Sequence, residues 1–104
     1  MAHRVVKLDE KDPEEVVVLA FDFAAELGAE TLSSPVFSVS VHRGNDANVA
    51  QLPNGAPVIS GTQALQSVRA GVAGVDYYVR MRASTSGGRT LVLAGILPVR
   101  EAGR

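Results

Sequence analysis

Residues 74–99 read GVDYYVRMRASTSGGRTLVLAGILPV, and this segment predicts a long β-hairpin. In its first half, apolar and polar residues alternate, which is typical of a strand with one buried face; the apolar set is Val75, Tyr77, Val79, Met81 and Ala83. The polar run at residues 84–89 supplies turn residues, and residues 90–97 resume an apolar, β-rich segment. An isolated hairpin is only marginally stable in water, so the rest of the chain must supply strands that cover its apolar face.

The length of 104 residues indicates one domain over residues 1–104, large enough to bury a core without disulfides. Hydrophobic residues make up 46% of the chain, but with no Trp, two Tyr and three Phe the core must consist mainly of Val, Leu and Ala. Valine favours pleated sheets. Zero cysteines exclude disulfides, thiol catalysis and cysteine-bound metals.

Charge and hydropathy limit the classes of partner. A net charge of −1 argues against nucleic-acid binding driven by bulk charge. No apolar run approaches the roughly 20 residues that span a bilayer, and residues 1–4 (MAHR) lack the apolar stretch of a signal peptide. We therefore expect no membrane partner and a protein made and kept in the cytosol.

Two segments before residue 30, residues 1–11 and residues 12–28, each allow two interpretations. Residues 1–11 are either a flexible arm or an edge strand. In residues 12–28, Asp12, Pro13 and Gly28 would suit the two ends of a helix. Three consecutive valines at residues 16–18 favour a strand instead, since β-branched side chains pack well in sheets. We favour the strand, to about Phe21, followed by a short turn at residues 24–28.

The middle of the chain completes an all-β pattern. Phe37, Val39 and Val41 alternate with polar residues in a strand over residues 31–41, and a long surface loop follows at residues 43–57, around a short piece at 49–52. Short strands are expected at residues 58–60 and 64–70. The total of about seven strands predicts an immunoglobulin-like antiparallel β-sandwich, with Tyr77 placed as a tyrosine corner.

Side chains that could carry catalysis are scattered. His3 and His42 lie in a terminal arm and at a strand end without an acidic partner at the spacing of a triad or metal site. Asp22 and Glu26 would pair on a helix but are expected to be solvated in a strand and turn. Asp46 lies among asparagines without a complete calcium loop. We predict no enzyme activity, no catalytic residue, no cofactor and no metal.

Six residues of the hairpin are candidates for a protein interface. Tyr78, Arg80 and Arg82 share the side of their strand that points away from the core, and Tyr and Arg are enriched at interfaces; a plain solvated face is nevertheless the better single explanation for them. The second strand of the hairpin is apolar on both sides, with Val92, Ala94 and Ile96 on one face and Leu91, Leu93 and Leu97 on the other. Either a central position in the sheet or a subunit interface would cover them.

Four groups of short motifs resemble a family of small phage and prophage virion proteins. They are KDPEE at residues 11–15, FDF with LGAETL at 21–32, GVAGVDYYV at 71–79 and TSGGRT at 85–90. In that family a K-D-P start leads to an F-D strand, an L-G-x-x-T-I-like step, a G-x-x-Y-x-V strand and a T-x-x-G-R-T turn. Members are described as fiber-tail adaptor or head–tail region components.

The resemblance implies an immunoglobulin-like sandwich that works by assembly in the neck or tail, without catalysis, and it also favours a strand in residues 12–27. The first hypothesis is therefore a virion structural protein, made in the host cytoplasm and then built into the virion. Its partners would be other phage structural proteins and further copies of itself. The alternative is a free-standing bacterial binding module that recognises a carbohydrate or protein ligand through its loops.

Overall fold

The computed structural model of the protein describes residues 5–102, with seven strands and two short helices. The strands are β1 (Val5–Lys7), β2 (Val17–Asp22), β3 (Leu32–Arg43), β4 (Val58–Ser60), β5 (Gln63–Val68), β6 (Asp76–Thr85) and β7 (Thr90–Pro98). The helices are α1 (Ala24–Leu27) and a 3-10 helix at Val49–Gln51. His3, the rest of residues 1–4 and the last two residues of the polar tail lie outside the described residues.

Two sheets form the architecture. The large sheet has the order β1-β7-β6-β3 and the small sheet has the order β2-β5-β4. The small sheet and the β7-β6-β3 part of the large one match the B-E-D and G-F-C strand orders of an immunoglobulin sandwich. The all-β, sandwich-like fold predicted from the sequence is confirmed.

The antiparallel part of the sandwich has six strands, one fewer than the predicted count of about seven. Six strands form two antiparallel sheets of three strands, whereas β1 pairs with β7 in parallel, with Val5 opposite Ala94 and Lys7 opposite Ile96. No hairpin joins β1 to β7, because the chain crosses to the small sheet after β1, so nothing forces that pair to be antiparallel. The edge-strand alternative for residues 1–11 therefore holds at residues 5–7.

The predicted hairpin is observed as β6 and β7. Their ladder runs without a register shift from Asp76 opposite Pro98 to Ser84 opposite Thr90. At the turn, the Arg89 N–H donates to the Thr85 hydroxyl at 3.0 Å, and the Thr85 N–H donates to the Arg89 carbonyl at 2.8 Å. The inward side chains of this hairpin form one face of the core.

The core lies between the two sheets. Tyr77, Val79 and Met81, which belong to the apolar set of the predicted alternation, have no exposed surface. They belong to one hydrophobic cluster with Phe21 and Val68 of the small sheet. The period-2 pattern therefore identified the buried side of β6 correctly.

Tertiary packing changed two predicted connections. The turn expected at residues 24–28 is helix α1, because one helical turn buries both Phe23 and Leu27, which are 0% and 2% exposed. The loop expected at residues 43–57 begins one residue later, after Arg43, and its middle piece is the 3-10 helix. Leu52 anchors this loop in the core, and its carbonyl accepts the Arg69 N–H at 2.9 Å.

Candidate interface on the large sheet

The six predicted interface residues lie on one face of the large sheet. Residues directly opposite each other in an antiparallel ladder point to the same side, and the ladders of β3, β6 and β7 place nine side chains in three rows. We call these rows the outer face; they are Val36–Arg82–Val92, Ser38–Arg80–Ala94 and Ser40–Tyr78–Ile96. The sequence had grouped Tyr78, Arg80 and Arg82 on one strand, and the register now sets Ile96, Ala94 and Val92 opposite them.

The two arginines at the centre of the outer face are free to contact a partner. Arg80 and Arg82 are exposed, and neither guanidinium group makes an ion pair or hydrogen bond to any residue in the described range 5–102. Val36, in the same row as Arg82, keeps 45% of its surface exposed. Cationic side chains beside apolar ones are typical of interface centres, where Arg and aromatic residues dominate the binding energy.

The apolar side chains that β7 contributes to the outer face are more buried than its two arginines. Val92 and Ile96 are half-buried, and Ala94 is 9% exposed. Because β1 pairs with the far side of β7, that strand occupies a central position in the large sheet. Of the two explanations for its apolar faces, the central position is therefore observed, and a subunit interface is not required to account for them.

An ion pair stands at one end of the outer face. The Arg100 Nη2 atom lies 2.7 Å from Asp76 Oδ1, and Arg100 Nη1 donates to the Val99 carbonyl at 2.8 Å. Arg43 and His42 lie exposed on β3 at the same end. The Asp76 charge is thus matched by Arg100, whereas the guanidinium groups of Arg43, Arg80 and Arg82 have no ion-pair partner among residues 5–102.

Arg89, in the hairpin turn, has a structural partner. Its Nη2 lies 3.2 Å from a Glu30 carboxylate oxygen and donates to the Glu26 carbonyl at 2.6 Å. Hydrogen bonds from the Thr85 and Arg89 side chains lower the pKa of Glu30. The T-x-x-G-R-T turn noted in the sequence therefore fastens the hairpin to the chain after α1.

The tyrosine corner predicted at Tyr77 is observed, together with a partner that the sequence did not indicate. The Tyr77 hydroxyl accepts the Val72 N–H at 2.9 Å and donates to Asp46 Oδ2 at 2.6 Å. Burial, together with the hydrogen bond to Asp46, raises the pKa of Tyr77 to about 12. Asp46 Oδ1 also accepts the Asn48 N–H at 2.8 Å, so this carboxylate organises the long loop.

The K-D-P motif at residues 11–13 connects segments that are far apart in the chain. Lys11 is 1% exposed, and its Nζ donates to the carbonyls of Ala70 (2.6 Å) and Asp12 (2.9 Å). Burial lowers the pKa of Lys11. The Asp12 carboxylate accepts the N–H groups of Ala102 and Glu14, each at 2.8 Å, and these bonds lower its pKa. Asp12 and Pro13 would also suit the start of a helix, but in the folded chain this motif ties distant segments together.

Neither a metal cluster nor a membrane span is found in the described part of the chain. Residues 5–102 hold no group of three or more His, Asp or Glu side chains that could bind a metal ion. The helices within this range are too short to cross a bilayer. Asp22, expected to be solvated, is exposed and accepts the Ala24 N–H at 2.9 Å and the Thr62 hydroxyl at 3.1 Å.

Comparison with known protein families gives a match over most of the chain. A protein-family model named Gp77, described as "Podophage GP4 fiber-tail adaptor protein gp77", matches residues 11–98. This range starts at the buried Lys11 and ends at the last residue of β7, so it covers both antiparallel sheets. No curated protein matches the chain at a significant level.

Proposed function

The chain belongs to the Gp77 family of podophage fiber-tail adaptor proteins, and on that premise we propose that it acts by assembly in the tail or head–tail junction of a phage or prophage virion. The family is one of structural adaptors, which implies contacts with other phage structural proteins. In this proposal the chain carries out no catalysis. It is made in the host cytoplasm and is then incorporated into the virion.

The outer face is the observation that supports an assembly role. Two exposed guanidinium groups without partners among the described residues stand beside the exposed Val36 and the half-buried Tyr78. Arginine loses little conformational freedom for each hydrogen bond that it forms, and an apolar surround strengthens its charge interactions by excluding water. A neighbouring structural protein with carboxylates above Arg80 and Arg82 would bind this face, and self-association through it would give a homo-oligomer.

Incorporation into particles tests the proposal. A phage that encodes this chain would be produced with the double substitution Arg80→Glu and Arg82→Glu, and the chain would be quantified in purified particles by mass spectrometry. We expect wild-type particles to contain the protein and the variant particles to lose most of it, because two repulsive charges would face the partner's carboxylates.

Arg69→Glu is the matched control, because Arg69 is exposed, follows β5 of the small sheet and changes the charge in the same direction. This variant should be incorporated normally. Purified particles that contain no copy of the wild-type chain would contradict the virion role altogether. Normal incorporation of the double variant would contradict the role of the outer face and leave the virion role standing.

A further inference from the structure

The free edge of β2 lacks the neighbour that a related architecture supplies. In immunoglobulin sandwiches of the constant type, the first strand pairs with the second in the same sheet. Here β1 pairs with β7 instead, and β2 has a ladder with β5 alone among the described residues. One position in the small sheet, beside β2, is therefore open for a further strand.

The hydrogen-bond pattern identifies which groups face this open edge. Phe23 donates its N–H to the Thr62 carbonyl at 2.9 Å, in the same register as the pairs between β2 and β5. Hydrogen-bonded pairs alternate along an antiparallel ladder. Residues 17, 19 and 21 therefore bond to β5, whereas Val18, Ala20 and Asp22 direct their N–H and C=O groups towards the open edge.

β2 lacks the devices that protect other strand edges. On the edge strand β3, Pro35, a positive φ of 51° at Ser34 and two register shifts interrupt the ladder. β2 reads VVLAFD, with a continuous register and no Pro or Lys. A regular apolar edge of this kind promotes pairing with another chain. Val16 and Val18, which are 62% and 61% exposed, extend the apolar surface there.

A groove runs alongside the β2 edge. It has a volume of about 320 Å³ and lies between β2 and residues 8–11. Leu8 and Leu97 contribute to its apolar lining, together with residues 17, 19 and 21 of β2. Its rim carries the exposed Asp9 and Glu10, and Asp22 is exposed at the other end of the strand. The groove is therefore apolar inside and acidic at one end, and Asp22 adds an acidic group at the end of β2.

We propose that β2 accepts an added β-strand from another virion protein, which completes the small sheet as a fourth strand. The added segment has apolar side chains at alternate positions, which enter the groove, and Lys or Arg at its ends, which meet Asp9, Glu10 and Asp22. Main-chain bonds to Val18, Ala20 and Asp22 supply affinity, and the side-chain pockets supply specificity. The inference rests on the proposed function for the origin of this segment.

Amide hydrogen exchange on the full chain tests the added strand. The probe is a synthetic peptide of about seven residues, in which valine alternates with threonine and a lysine stands at each end. We expect the peptide to slow exchange at the amides of Val18, Ala20 and Asp22 by about tenfold or more, because each gains a hydrogen-bond acceptor. The amides of β3 should be unaffected.

Substitution at Ala20 provides the matched pair of variants. Ala20→Pro removes an N–H that faces the open edge, which strands tolerate at this kind of position, and should weaken peptide binding by about tenfold or more. Ala20→Thr keeps the N–H and should bind like the wild type. The exchange measurement on the wild-type chain decides the proposal even if Ala20→Pro does not fold.

Three results would overturn the proposal. They are the absence of protection at β2, protection at β3 in place of β2, and protection of β2 that rises with protein concentration without peptide, which would assign the edge to a second copy of this chain. Failure of the peptide experiment would leave the presence of the protein in particles unaffected. Conversely, if the protein were absent from particles, measured peptide binding would still stand. Only the viral origin of the added strand would then be refuted.

Discussion

At the scale of single residues, Tyr77 holds three segments together. Its ring is fully buried in the core, while its hydroxyl bonds to Val72 before β6 and to Asp46 in the long loop. Removing the tyrosine hydroxyl would leave the Val72 N–H without its acceptor. Such an unsatisfied group costs more free energy than the hydrogen bond itself contributes.

We predict that Tyr77→Phe lowers the free energy of unfolding by about 1 to 3 kcal/mol and changes its dependence on pH. The folded-state pKa of Tyr77 is raised from 10.0 to about 12. The contribution of this phenol is therefore fully present below pH 10, and it is lost as the pH rises through about 12. Urea unfolding of both proteins at a series of pH values between 8 and about 11 measures the difference.

Comparison with Tyr77→Phe isolates this phenol from other groups that titrate at alkaline pH. Lys11, whose pKa is lowered by burial, changes stability in the opposite direction as the pH rises, and it is present in both proteins. Asp46→Asn should have a smaller effect, since the amide oxygen still accepts the tyrosine hydroxyl. Parallel pH curves for wild type and Tyr77→Phe would contradict the assigned role.

At the scale of elements, the turn between β6 and β7 is positioned by the segment after α1. Arg89 binds Glu30, and the Glu30 carboxylate lies close to Gly87. A Cβ added to Gly87 would approach the Glu30 carboxyl carbon to 2.7 Å, whereas Gly88 has open space but a φ of +84°. Alanine would therefore be disfavoured at the two positions for different reasons, a displaced carboxylate at Gly87 and a strained backbone at Gly88.

We predict that alanine destabilises the protein at both glycines but that only one effect depends on Glu30. Gly88→Ala should cost about 1 to 2 kcal/mol because an L-residue is strained in the left-handed region. Gly87→Ala should lower the melting temperature because its methyl group displaces the Glu30 carboxylate from Arg89. Thermal unfolding of both variants, with and without Glu30→Ala, measures the coupling.

The Glu30→Ala background should remove most of the effect of Gly87→Ala and leave that of Gly88→Ala unchanged, since the truncated side chain no longer meets the new methyl group. Equal effects of Gly87→Ala in both backgrounds would show that the close approach to Glu30 does not explain this glycine.

At the scale of the whole molecule, a net charge of −1 conceals two charged regions of opposite sign. The outer face carries Arg80 and Arg82, whose guanidinium groups have no partner among residues 5–102, whereas Asp9 and Glu10 stand beside the groove along β2. Oppositely charged patches orient partners during association and specify the register of an assembly. The two surfaces therefore offer distinct binding sites, one basic and open, the other acidic and strand-like.

We predict that the purified chain forms a discrete oligomer through its outer face, as measured by light scattering coupled to size exclusion across a wide range of concentration. Val92→Lys should shift the mass towards the monomer, because association would bury an unpaired ammonium group next to Arg82 in the same row. Ala73→Lys, in an exposed loop before β6, adds the same charge elsewhere and should leave the mass unchanged.

A monomer at every concentration would contradict self-association through the outer face. It would leave an adaptor that binds only different proteins, or the alternative of a free-standing binding module. Equal effects of Val92→Lys and Ala73→Lys would show that net charge, and not the outer face, governs the measured mass.

Much of the fold and part of the site could be predicted from residue patterns. The alternation in β6 correctly separated buried Tyr77 and Val79 from outward Tyr78 and Arg80, and the β-branched run before Phe21 correctly favoured a strand over a helix. Such patterns are readable because each strand side chain faces one side or the other with a period of two, whatever the partner strand is.

Partners distant in the chain could not be read in the same way. The pairing of Tyr77 with Asp46 spans 31 positions and that of Lys11 with Ala70 spans 59. The choice of β7 as the neighbour of β1, which leaves the edge of β2 open, is equally non-local. The sequence by itself determined most of the strands, the buried side of β6 and the resemblance to the family. Only the tertiary structure decided which strands and side chains meet, because that choice depends on competition among all segments in the compact chain, and no local period encodes it.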